Sequence, residues 1–156
     1  SDDDLETLVK DTRIVRNMQK IVATRDNAIF VWDVVKEHGS FANYLNQWDA
    51  SNVIDLWAQL KKRGSRLGGN TSQYFLRRMG FDSFMLSQDI TAYLMDIDVI
   101  DKPATSKARQ AAVQNYFNQL HEESGRSYTE LSQIVAFSYG TNYEPDEIVG
   151  FKGDEY

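Results

Sequence analysis

Between Lys61 and Arg78 the chain carries six cations (Lys61, Lys62, Arg63, Arg66, Arg77 and Arg78), three glycines (Gly64, Gly68 and Gly69) and no acidic residue. That mixture suits anion binding. Glycine lets a backbone approach a phosphate closely, the N–H groups in the first turn of a helix supply donors, and nearby Lys and Arg add attraction. The segment from Leu60 to Thr71 reads as the end of one helix, a glycine turn and the start of a second. Lys61, Lys62, Arg63, Gly64, Ser65, Arg66, Gly68, Gly69, Asn70 and Thr71 are therefore the candidates for gripping a phosphate backbone. Such contacts position a protein on nucleic acid without reading its sequence. The same residues also suit a tight interhelical turn whose glycines serve geometry and whose charges are solvated. Composition alone leaves both readings open. The Gly-Lys-Ser/Thr ending of a P-loop is missing, so no nucleotide cofactor is expected.

Elsewhere the chemistry is sparser. Arg16, Asn17 and Lys20 suit phosphate contact or the tying together of helices. Tyr44, Trp48, Trp57 and Tyr74 suit stacking on bases, although at helical spacing each is expected in the core. His38 and His121 are isolated and are expected at the surface or at helix ends. The chain has no cysteine, which excludes disulfides and cysteine-held metals, and no metal site is expected from its other residues. No Ser/His/Asp or Cys/His grouping at workable spacing offers a nucleophile.

Helices must position these groups. Leu5, Leu8 and Val9 follow a capping box predicted from Asp3 and Glu6. Ile14, Met18, Ile21, Val22, Ile29 and Trp32 recur at spacings that predict the buried face of the longest helix, stopped by Gly39. Phe41, Tyr44, Leu45 and Trp48 predict a shorter helix, and Val53, Leu56, Trp57 and Leu60 another before Gly64. Asn70 is expected to cap a helix carrying Tyr74, Phe75 and Met79, and Ser87 one carrying Ile90, Leu94 and Ile97. After Pro103, Ala108 to Leu120 gives a helix closed by Gly125. A Ser127–Glu130 capping box then opens a last one with Leu131, Ile134, Val135 and Tyr139, and Gly140 ends the pattern. No segment alternates as a strand does, so the expected fold is all-α, an irregular helical domain over 1–140 with an acidic tail over 141–156.

A chain of 156 residues supports one good core, and no apolar run is long enough to span a bilayer. No membrane association is expected, and the missing cysteines fit the cytoplasm. The net charge of −6 argues against nucleic acid, but the acids gather near the two ends, Asp2 to Glu6 and Glu144 to Glu155, leaving the basic stretch uncompensated.

Two segments carry a resemblance. The run Leu60-Lys61-Lys62-Arg63-Gly64 through Gly69 and Thr71, preceded by Arg13-Ile14-Val15-Arg16-Asn17 and Lys20-Ile21, is similar in order and spacing to recurring segments of the 3-methyladenine DNA glycosylase I family, within the helix-hairpin-helix DNA glycosylase superfamily. The similarity extends from about Leu5 to Gly140. The resemblance implies a compact multi-helix domain with a helix-hairpin-helix motif. It also implies hydrolysis of the N-glycosidic bond of an alkylated base such as 3-methyladenine in duplex DNA, without a cofactor and by a monomer. Asp89, which follows the hairpin as the catalytic aspartate does in many superfamily members, becomes the candidate catalytic carboxylate, though a first-turn Asp also complements the helix dipole. Arg16, Asn17, Lys20 and Tyr44 become candidates for base or DNA contact.

Three departures from the family stand out. Arg66 occupies the place of the hairpin's first glycine. Ile90 and Leu94 stand where part of the family has zinc-binding His and Cys. The family's helices before the position matching Asp4, which supply much of the base pocket, have no counterpart in the chain. A non-catalytic module that binds the DNA backbone is the alternative expectation, and a protein-interaction domain a third.

Overall fold

The computed structural model describes residues 1–139, so the stop expected at Gly140 and the tail expected over 141–156 lie outside the described residues. The described residues form eight α-helices and a short 3-10 turn with no strand, an all-α fold as the patterning requires. They group into two units, Ser1–Phe81 and the stretch from Asp82 onward. None of the described helices is long and apolar enough to cross a membrane.

The first unit contains α1 (Asp2–Leu8), α2 (Met18–His38), α3 (Phe41–Leu45), the 3-10 turn Ala50–Asn52, α4 (Val53–Arg63) and α5 (Asn70–Arg78). Ser1 and Asp4 form the capping box of α1, so the box predicted from Asp3 and Glu6 starts two residues late. Asn17 caps α2 by accepting from the Lys20 N–H at 3.1 Å, which leaves Ile14 and Val15 outside the helix. Gly39, at φ 80°, stops α2 as expected.

The buried face of α2 differs from the predicted one. Ile21, Ala23, Phe30 and Val34 are buried, whereas Ile14, Met18, Ile29 and Trp32 are exposed. α2 carries two apolar stripes, and its packing against α3 selects the one with Phe30 over the one with Trp32. On α4 the expected face is the buried one, through Val53, Leu56, Trp57 and Leu60. On α5 the buried residues are Ser72, Gln73 and Leu76, so the inward placement expected of Tyr74 and Met79 is corrected.

The second unit contains α6 (Gln88–Asp96), α7 (Lys107–Ser124) and α8 (Tyr128–Tyr139), with α8 packed against both others. Ser87 caps α6, Ser127 and Glu130 exchange the predicted capping-box bonds, and Gly125 closes α7 in the left-handed conformation. Phe84 and Phe117 are fully buried and stack with centroids 4.4 Å apart. Asp82 receives the Tyr128 and Thr129 N–H groups at 3.1 and 2.8 Å, pinning the segment before α6 to the start of α8. Ile90, Leu94, Leu131 and Val135 are buried as expected, but Ile97, Ile134 and Tyr139 are exposed. His38 and His121 fall in the last turns of α2 and α7, as expected.

Candidate nucleic-acid interface

α4 ends where the Gly64 N–H bonds back to the Leu60 carbonyl at 2.8 Å. A Cβ on Gly64 would collide with Leu67 Cδ1 and lie 3.0 Å from the Leu60 carbonyl oxygen. Gly64→Ala is therefore expected to destabilise the protein by about 1–3 kcal/mol, as overpacking does. A shift in the urea midpoint at unchanged slope checks it.

The turn then passes through two left-handed residues. Arg66 has φ 60°, where glycine is most at ease. Gly69 has φ 57° and ψ −135°, a region open to glycine alone. Because Gly69 is the N-cap residue of α5, the cap expected at Asn70 moves back by one, to a residue with no side chain to cap with. The Thr71 N–H reaches the Gly68 carbonyl at 3.3 Å, and the Ser72 hydroxyl donates to the Gly69 carbonyl at 2.9 Å.

Three side chains from α2 fix the turn. Asn27 donates to the Ser65 carbonyl at 2.9 Å and accepts the Ser65 N–H at 2.8 Å, a two-point clamp on the backbone. Gln19 accepts from the Arg66 guanidinium at 3.2 Å, and Glu37 from the Arg63 guanidinium at 2.9 Å. Arg63 also lies over the rings of Phe30, at 5.2 Å, and Tyr44, at 5.9 Å. Its charge is thus committed to holding α4 against α2 and α3.

The predicted site residues therefore separate. Lys61, Lys62, Arg66, Gly69, Asn70 and Thr71 are exposed around the turn, and the Lys61 side chain runs alongside Gly68. Arg63, Gly64, Ser65 and Gly68 are half-buried and build the turn's frame. Arg16 and Lys20 are exposed, while Asn17 serves as the α2 cap. Tyr44 is buried beside Phe41 and Trp48, and burial raises its phenol above the ordinary value while the Arg63 charge works the other way. Asp89 is exposed in the first turn of α6, in the other unit. Among the described residues no grouping of three or more His, Asp or Glu could hold a metal ion.

Asn27 and Gln19 did not stand out in the sequence. Asn27 carried a signal, since it lies four residues after buried Ala23 and three before buried Phe30, whereas exposed Gln19 carried none.

The all-α fold carries a glycine turn preceded by two exposed lysines, and a family model described as methyladenine glycosylase matches residues 1–86, more than half of the chain. The chain belongs to the methyladenine glycosylase family. The matched stretch takes in α1 to α5 and the whole turn, and it ends before Asp89. No curated protein and no solved structure matches the chain.

Proposed function

We propose that this protein is a base-excision repair glycosylase that hydrolyses the N-glycosidic bond of an alkylated base, such as 3-methyladenine, in duplex DNA. In this reading α4, the turn over 64–69 and α5 form a helix-hairpin-helix that holds the DNA backbone. The carrying observation is the family match across the turn. The turn's form supports it, with the side-chain-free Gly69 as the N-cap of α5 and Lys61, Lys62 and Arg66 exposed around the turn.

Backbone amides and cations together suit a phosphate oxygen, and they leave the bases free to be tested. A damaged base must leave the stack to be excised. An alkylated base carries positive charge and departs readily with the bonding electron pair, so selective binding supplies much of the acceleration. Water adds to the sugar carbon and gives up a proton, with no cofactor consumed. The Asp89 carboxylate is the group we assign to steadying positive charge on the sugar or orienting that water. A monomer in the compartment that holds the DNA suffices for this chemistry.

The test is release of free base from methylated duplex DNA by the folded protein. Release is expected, and Asp89→Asn should slow it by about a hundredfold while leaving DNA binding intact. Salt-dependent DNA binding with no release would overturn the enzymatic reading and establish a non-catalytic backbone-binding module.

A further inference from the structure

Tyr74 has 54% of its surface exposed, although an aromatic at helical spacing normally belongs to a core. α5 turns Ser72, Gln73 and Leu76 inward, which leaves Asn70, Thr71, Tyr74 and Arg78 in one solvent-facing stripe. Along the chain, the segment that holds that stripe carries charge of a single sign. Lys61, Lys62, Arg66 and Arg78 are exposed, and no acidic residue occurs between Lys61 and Arg78.

Four residues of helix rise about 6 Å, and helical side chains lean toward the N-terminus, covering the turn before their own. A ring at position 74 therefore belongs over Asn70 and Thr71, beside the glycine turn. A polar, cationic stripe with one flat ring at its centre complements a strand of phosphates and nucleosides. An apolar protein surface would be a poor match, since Tyr74 is flanked by Asn70, Thr71 and Arg78 rather than by other apolar groups on that stripe.

We infer that Tyr74 is a nucleotide-binding residue whose ring packs against the nucleoside next to the phosphate held by the turn, so that the DNA site extends one helical turn up α5. This inference rests on the reading of the turn as a DNA grip.

The experiment measures binding of the full chain to a DNA duplex bearing one unpaired 2-aminopurine, across a range of salt. Tyr74→Ala is expected to weaken binding about tenfold, as loss of one stacking ring does, and to leave the salt slope unchanged because no cation is removed. Tyr74→Phe keeps the ring and should bind within about twofold of the parent. Tyr74→Leu keeps apolar bulk without a flat ring, so it should behave like Tyr74→Ala, and it decides the matter if the alanine variant folds poorly. A Lys61→Gln/Lys62→Gln double variant should lower the salt slope by about two. If that variant loses slope while Tyr74→Ala and Tyr74→Leu bind as the parent does, the role of Tyr74 is overturned alone. If neither the lysine nor the tyrosine variants change binding, the grip itself is overturned.

Discussion

Neutralising Lys61, Lys62 and Arg66 together, each to Gln, is expected to cut DNA affinity on the order of a hundredfold at low salt and to reduce the slope of log K against log salt by roughly three. The slope carries the argument, because each cation that contacts phosphate releases about one counterion. All three residues are exposed, and the hydrogen bond from Arg66 to Gln19 lies at the surface, so the melting temperature should barely move. Arg63→Gln makes the contrast. Its guanidinium is bound to Glu37 and lies over Phe30 and Tyr44, so its loss should lower stability and leave the slope nearly unaltered. An unchanged slope in the triple variant would mean that the cations around the turn do not meet phosphate.

Phe84→Ala is expected to cost about 3–5 kcal/mol, the range for emptying a buried aromatic site. Phe84 is fully buried and stacks on Phe117 at an interplanar angle of 3°, so the substitution removes both the buried area and the ring contact. Domains are stable by only about 5–15 kcal/mol, so such a loss should leave the segment from Asp82 onward largely unfolded or steeply heat-sensitive. Loss of helical circular dichroism in a denaturant series is the signal to follow. Tryptophan fluorescence is not, because Trp32, Trp48 and Trp57 all fall within Ser1–Phe81. A midpoint within the error of the parent would show that the Phe84–Phe117 stack does not hold this unit together.

Much of the fold was legible because its punctuation is local. Ser87, Ser127 with Glu130, Gly39 and Gly125 each satisfy a helix end through neighbours within a few residues, and all four stand where patterning placed them. Two local caps, at α1 and α5, fell one or two residues from where patterning placed them, and the larger misses, over which helix face packs, depended on partners distant in sequence. α2 has apolar residues on two sides, and nothing in its own spacing says that α3 covers Phe30 while Trp32 stays wet. Tyr74 and Met79 on α5 misled for the same reason, since the face that packs is the one with Ser72 and Gln73. The candidate site was legible as composition, a run of cations and glycines free of acids. Its internal division was not. That Arg63 turns to Glu37 while Lys61 and Lys62 face solvent follows from where α2 lies, and the Asn27 clamp joins residues 38 apart in the chain.

That clamp bears on how a partner would be met. Fixing a loose backbone costs roughly 1–2 kcal/mol per residue in lost freedom. A loop that stiffens only on encounter gives up that amount from its affinity, and it engages slowly when the fitting shape is rare. With both peptide groups of Ser65 tied to the Asn27 amide, the ordering cost at that point is already incurred when the first unit folds. The corner between α4 and α5 is thus presented in finished form, and strain applied to it is borne by the 21 residues of α2 rather than by a flexible tip.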